Sequence, residues 1–482
     1  PSISTKTKPN QTKPNPRLAT MAGGAAPPST ARGGYRLSAL NDDLLQEIIT
    51  CLPVKEAART VVLAKRWRYL WPSAPLFLND ADLPQPARDV VVPRVLAEHR
   101  GRFRSINLAY FRLASLDREL PGWPRLLADK RTQRLQLTNR NYLPPNQIGT
   151  LPHIPADILR CGSLQNLVLG FLKFPVDLSH GVEIFLPNLR ELTLAMVIIS
   201  GEDLEHLITA CTALKTLKLT SLTPKRVHLR SRSLRCALVG LSRVEDFAVV
   251  DAPLLERLVL YLPGTGARVK IGYAANLLVL GHLDTRVHQL QIRDMVIKSG
   301  LKPNTMASTS TLIPSVKILA VTVNFGVLSE LNTLASFLRC FPNIVTLHIE
   351  SVLHDPSVSA SAIEPSGEHH AKFWQEVGPV ECLRSHVLEK MAIHEFRGDQ
   401  DEFEFLKFVA MNAQGLQSLH VVLQEGDTSS SDDKKVNEAR EKLQDLRFQT
   451  GISGVLLVLP KEGILSTLQK ATDLTYNDPF RF

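Results

Sequence analysis

The chain of 482 residues predicts an α/β fold: a short three-helix unit near its start, then an irregular solenoid of parallel strands on a concave side and helices on a convex side. Three observations predict this. Between Leu37 and Phe77, apolar residues fall at helical spacing in three short runs. Beyond about residue 95, a strand-like leucine pattern returns at intervals of 25 residues. At 44% hydrophobic and 21% charged the composition is that of an ordinary globular chain, and no apolar run approaches the ~20 residues of a membrane-spanning helix.

In the first unit Asn41 is placed to cap a helix whose first turn holds Asp42 and Asp43, where the helix dipole favours acids. Leu44, Ile48 and Leu52 recur every four residues with Leu45 and Ile49 beside them, and Pro53 ends the run. Val54, Ala57, Ala58, Val61 and Val62 form a second apolar face. Trp67, Leu70 and Trp71 form a third, among Lys65, Arg66 and Arg68. A unit of about forty residues cannot bury a self-sufficient core, so this one must dock against something else.

The residues Leu40, Asp42, Asp43, Leu44, Ile48, Leu52, Pro53, Val54, Lys55, Arg59, Leu63, Arg66, Trp67, Leu70 and Trp71 resemble the F-box, which ties a substrate receptor to the Skp-type adaptor of a cullin ubiquitin ligase. Asn41 stands where plant members carry proline, at a point where the family meets its adaptor, and Ala64 where they carry serine. The resemblance implies an adaptor-binding set of Leu40, Leu44, Ile48, Leu52, Pro53, Val54, Leu63, Trp67, Leu70 and Trp71. The plainer alternative is a helical hairpin within a core.

The net charge of +9 is concentrated at the start: residues 1–36 carry six basic residues and no acid. The remaining +3 is spread over 446 residues without a basic stripe, which argues against a nucleic-acid partner. Residues 1–36 are poor in large apolar groups and are expected to be a disordered tail. Met21 is the first methionine, so the preceding residues are expected to lie upstream of the native start. Six scattered cysteines with no CxxC pair fit reduced thiols in cytoplasm or nucleus.

The pattern L-x-x-L-x-L occurs at Leu164, Leu189 and Leu214, and again at Leu255. Looser versions begin at Phe103, Leu234, Leu277, Val316 and Ile344. The 25-residue interval lies within the period of leucine-rich repeats. Physically, L-x-L is a short strand with alternate side chains inward, and GEDLEHLITACTA at 201–213 returns as a helix. Such units bury their faces only by stacking. Flexible insertions are expected at 300–312, 354–371 and 427–435.

Leu388-Met391-Ile393 and Leu416-Leu419-Val421 repeat the strand pattern, with a helical face of Phe405, Leu406, Phe408 and Val409 between them. With Cys382, Leu383, His386, Phe396, Gly398, Glu402, Asn412 and Ala413 this stretch resembles the FBD region that follows the repeats in many plant F-box proteins. The expected boundaries are 1–36 tail, 37–78 F-box, 79–94 linker, 95–372 leucine-rich-repeat array, 373–425 FBD-like region and 426–482 C-terminal cap.

No phosphate loop, HExxH or GxSxG is present. His369-His370 lacks partners at metal-ligand spacing, and Cys382 with His386 reads as core rather than as a thiol–imidazole pair. The sequence therefore reads as a binding protein, not an enzyme, with no cofactor or metal. Side chains between the leucines face outward: Arg190, Glu191, Thr193, Lys215, Thr216, Lys218, Glu256, Arg257, Thr346 and His348. Arg190, Glu191, Lys215, Lys218, Glu256, Arg257 and His348 are the candidate target-binding residues. The resemblance implies the substrate-recognition subunit of an SCF-type ligase, with a Skp-type adaptor and through it a cullin as partners, a protein target, and no nucleic acid or membrane. The alternative is a non-degradative interaction scaffold on the same repeats.

Overall fold

In a computed structural model the described residues are 37, 39–140, 151–175, 183–262, 267–286, 289–292, 295–297, 312–353, 368–384, 386–424, 438–445, 454–458 and 470–480. The expected tail at 1–36, nearly all of the 300–312 and 354–371 insertions, and the 427–435 loop lie outside them. Two compact units are distinguished, residues 1–45 and 46–482.

In the first unit the Asn41 side chain accepts a hydrogen bond from the Leu44 amide at 2.9 Å, the capping role its type predicts. It opens the helix Asp42–Thr50. In the second unit Val54–Arg59 is helical and tightens into a 3-10 turn at Thr60–Val62. Lys65–Leu70 follows and tightens in the same way at Trp71–Ser73.

From Leu76 onward the second unit is a ladder. Among the described residues fourteen strands form one sheet, in chain order apart from the strands of a second sheet interleaved with them. They are Leu76–Asn79, Phe103–Leu108, Arg134–Thr138, Asn166–Lys173, Glu191–Ile198, Thr216–Thr220, Cys236–Gly240, Arg257–Tyr261, Val279–Asp284, Ile318–Val323, Thr346–Ser351, Lys390–Phe396, Ser418–Leu423 and Gly454–Val458. The register is set by the middle residue of each leucine triad: Ile106, Leu135, Leu167, Leu192, Leu217, Ala237, Leu258, Leu280, Leu319, Leu347, Met391 and Leu419 pair in succession. A one-residue slip would turn every leucine out of the core, which is why the pattern fixes the pairing. A backbone feature also repeats two positions past the last residue of the triad: Phe171, Met196, Ser221 and Leu241 all take the left-handed conformation at φ 52–54°. The repeat is thus a backbone unit as well as a leucine pattern.

The return elements differ from expectation in the middle. Helices Gly201–Ala210 and Gln400–Asn412 return as predicted, the first capped by the Ser200 hydroxyl on the Asp203 amide, and Leu328–Cys340 is a further return helix. Between Thr220 and Met295 the returns are strands instead, Arg226–Arg230, Asp246–Asp251, Arg268–Tyr273 and Gln289–Ile292, which with Met295–Ile297 form a five-stranded second sheet. For the first three of these returns the cause is length. Leu217 and Ala237 are 20 residues apart, against 25 for Leu192 and Leu217, which bracket a helix. The shorter interval leaves room for one short extended stretch, and Val227 and Leu229, or Val269 and Ile271, alternate as a half-buried strand does.

The expected linker at 79–94 is ordered. Leu76–Asn79 is the first strand of the sheet and Gln85–Glu98 is a helix, with Pro84 at its N-cap and Pro86 in its first turn, where a missing N–H costs nothing. Asp80 is fully buried there and accepts hydrogen bonds from the amides of Ala109, Tyr110 and Phe111 at 3.0, 2.7 and 2.6 Å.

The expected C-terminal cap is also divided. Gly454–Val458 adds the last strand, but residues 470–480 lie across the middle of the sheet's other face. The strands Cys236–Gly240 and Arg257–Tyr261 carry apolar side chains on both faces, so that face demands cover.

Candidate interaction face and the segment that covers it

One face of the main sheet packs on the helices and the second sheet. Its opposite, open face is lined by the residues between the leucines. Thr193, Lys218, Leu238, Val259, Ala320, His348, Ala392 and His420 sit at equivalent register positions. The character changes along this row: polar on the earlier strands, apolar in the middle, histidine-rich later. Physical chemistry then divides the row into accessible and covered parts.

The middle is covered by residues 470–480. Leu238, Val259, Val279 and Ala320 form a small core with Ala471 and Phe480, separate from the main one. The Arg257 guanidinium donates to the backbone carbonyls of Asp473, Leu474 and Tyr476, at 2.8 Å to the first and 3.3 Å to the second. The Cys236 thiol donates to the Ala471 carbonyl at 3.2 Å. His348 Nε2 lies 3.0 Å from the Asp478 carboxylate, whose other oxygen accepts from the Phe480 amide at 3.0 Å. The Phe480 ring meets His282 and His348 edge-on, with centroids 4.9 and 5.5 Å away.

Around it runs a largely half-buried polar chain. Tyr261 Oη and His282 Nε2 are 2.7 Å apart, and His282 Nδ1 lies 3.3 Å from the Glu350 carboxylate. Burial alone would raise Glu350, but the His282 imidazole beside it, the Thr322 hydroxyl that donates to it and the neighbouring His394 bring it down to about 2. His348 Nδ1 faces His394 Nε2 at 3.2 Å. Burial, then the proximity of His348 and His282, lowers His394 to about 3. Beside the covering segment opens a cavity of about 660 Å³, lined by Thr346, His348, Lys390 and His420 from the sheet and by Lys470, Tyr476 and Asp478 from the segment.

The seven candidate target-binding residues separate on this geometry. Arg190, Glu191 and Lys215 are exposed and Lys218 half-buried, and together they line a cavity of about 500 Å³ with Thr472, Asp473 and Leu474. Glu256 is half-buried and takes a bidentate hydrogen bond from Arg235, at 2.8 Å through each oxygen. Arg257 and His348, expected to be outward-facing and free for a partner, are instead buried under the chain's own residues 470–480. The continuous apolar runs CALVG and RLVLY were the signal for a strand buried on both faces. What covers them is 235 residues away in the chain and could not be read from it.

The F-box-like residues separate as well. In the first unit Leu44 is 50% exposed and Leu40 half-buried. In the second, Pro53 and Leu63 are exposed, Ile48, Leu52 and Trp71 half-buried, and Val54, Trp67 and Leu70 buried. The last three therefore support the helices rather than present a surface, because each lies on the face its helix turns inward. Val62 and Tyr69, about 80% exposed, were missed as surface candidates.

Cys382 is fully buried and its thiol pushed up to about 12 by burial, so it is no accessible nucleophile. His369 and His370 fall in the helix Glu368–Glu376. Among the described residues no three His, Cys, Asp or Glu side chains converge to hold a metal, and no helix is long and apolar enough to cross a membrane.

Comparison with known proteins gives three family matches. An F-box domain model matches residues 37–79. A model described as FBD-associated F-box protein At5g56370, LRR repeats, matches 120–349, and an FBD model matches 375–421. The strand ladder runs on beyond the matched repeats at both ends, from Leu76 to Val458. Among Arabidopsis thaliana proteins, the putative F-box/FBD/LRR-repeat protein At3g49480 is 27% identical over 450 residues, covering 85% of this chain and 93% of that protein. The putative F-box/FBD/LRR-repeat protein At5g44950 is 31% identical over 38% of this chain and 42% of its own length. The FBD-associated F-box protein At5g60610 is 31% identical over 38% of this chain and 45% of its own. Three family models matched in that order along the chain, and a relative whose name carries the same three parts matched over 93% of its length, support a plant F-box protein with leucine-rich repeats and an FBD region.

Proposed function

We propose that the chain is the substrate-recognition subunit of an SCF-type ubiquitin ligase. The observation that carries this reading is the order F-box, repeats, FBD along one chain. In this scheme the F-box holds a Skp-type adaptor and through it a cullin, in cytoplasm or nucleus. The open sheet face, with Arg190, Glu191, Lys215 and Lys218 its most accessible candidate residues, holds a protein target. The chain performs no chemistry: it raises the local concentration of target lysines near a ubiquitin thioester. Residues Leu40, Leu44, Ile48, Leu52, Pro53, Leu63 and Trp71 contact the adaptor, with Val54, Trp67 and Leu70 holding the helices in place.

The test is retention of a purified Skp-type adaptor by the full chain, compared with a chain lacking residues 37–78. Retention that needs those residues supports the ligase reading. A folded full chain that retains no adaptor fits the non-degradative scaffold instead.

A further inference from the structure

We propose that the covered middle of the open face is a peptide-recognition groove, and that residues 470–480 are its resident ligand, displaced when a target presents a similar segment. The inference rests on the open face being the target surface. The partner class is a short segment that leaves a helical turn and bends again, with a small residue followed, some seven positions on, by an acidic residue and, two further, an aromatic one, as in Lys470–Phe480, KATDLTYNDPF.

The contacts are of the kind that read a ligand. Arg257 donates to three backbone carbonyls and Cys236 to a fourth, so the groove holds the main chain irrespective of most side chains. Residues 470–480 form no strand in either sheet, so no ladder hydrogen bonds tie them in. Selectivity comes from two positions. Phe480 packs against Gly281, where a Cβ would stand 2.5 Å from the Ala320 Cβ and 2.9 Å from the Phe480 ring, so a side chain there would crowd both. Asp478 meets His348, a buried imidazole aimed at that one carboxylate. Thr475, Tyr476 and Asn477, between Ala471 and Asp478, stay exposed, as spacer residues of a bound peptide do. The neighbouring cavity leaves room for bulkier spacers than the native ones.

The test uses the full chain carrying Asp478→Asn and Phe480→Ala, which weakens the resident segment, and a fluorescein-labelled KATDLTYNDPF peptide. A tethered ligand competes at an effective concentration in the millimolar range, so the double variant should bind the peptide at least about tenfold tighter than the unaltered chain. Replacing Asp by Asn or Phe by Ala in the peptide should weaken binding about tenfold each. His348→Gln in the double-variant chain should erase the preference for Asp over Asn. Equal, scramble-like binding by both chains overturns the proposal and makes the segment a fixed part of the core. Should the double variant aggregate, hydrogen exchange on the unaltered chain decides. Amides of 470–480 should exchange faster than those of Arg257–Tyr261 and faster again with millimolar peptide; equal protection overturns the proposal. Adaptor retention is read on the same preparations: its loss with peptide binding intact sinks the ligase reading alone, and the reverse sinks the groove alone.

Discussion

The Ser351 hydroxyl donates to the Glu402 carboxylate at 2.6 Å, joining the end of one repeat strand to the first turn of the FBD helix. Both side chains are buried, and the second Glu402 oxygen accepts the amides of Arg397, Gly398 and Asp399 at 3.1, 2.8 and 3.0 Å. Gly398, at φ 82°, supplies the left-handed turn that aims them. Glu402→Ala strands a hydroxyl and three amides in the interior. It should cost about 3–5 kcal/mol, as loss of a buried charged partner does. Denaturant melts of the full chain should show one transition that moves as a whole, because Thr346–Ser351 pairs directly with Lys390–Phe396. A second, unmoved transition would mean that the FBD region folds separately.

Asp80 belongs to the stretch that reads as a connector, yet it fixes the corner after the second strand. Asp80→Ala should destabilise by several kcal/mol, since three buried amides lose their acceptor at about 1–3 kcal/mol each. Asp80→Asn keeps one acceptor oxygen and should cost less. Chemical denaturation of the two variants checks the order, and equal costs would assign the effect to packing.

Two groups impose opposite pH dependences. Burial raises Glu330 from its ordinary 4.5 to about 7, with Asp284 adding to it, against the Asn324 amide, the Thr285 hydroxyl and Arg286, which lower it. The native state therefore keeps a proton that the unfolded chain has lost, and this contribution is full below 4.5 and gone above 7. His394, lowered to about 3, acts the other way: its contribution is present above 6.5 and lost as pH falls to 3. Glu330→Gln should raise stability at pH 8 relative to pH 5, by at most about 3 kcal/mol. His394→Gln should relieve the loss between pH 6 and 4. Thermal melts from pH 4 to 8 would show both slopes, and unchanged slopes would refute the assignments.

Leu63 and Trp67 lie four residues apart and should fail differently. Leu63 is 63% exposed, so Leu63→Asp should leave the melting temperature within error and remove adaptor retention. Trp67 is buried, and Trp67→Ala should cost about 3–5 kcal/mol and weaken retention only through unfolding. Calorimetry with an adaptor pull-down separates the two, and retention by a folded Leu63→Asp chain would remove Leu63 from the interface.

The sequence by itself determined the three F-box helices, the repeat strands and their register, because a leucine every two or three residues leaves one pairing that keeps all of them inside. It also determined the FBD strand–helix–strand, whose apolar periodicity switches from two to 3.6 and back. Only the tertiary structure decided which elements return the chain, since Val227-x-Leu229 is a strand by virtue of the short interval and the neighbours beside it. It alone decided that Trp67 is inside and Tyr69 outside, a matter of which helix face meets the core. And it alone decided the fate of Arg257 and His348, because their partners come from residues 470–480, and local periodicity carries no information about which distant segment will cover a given strand.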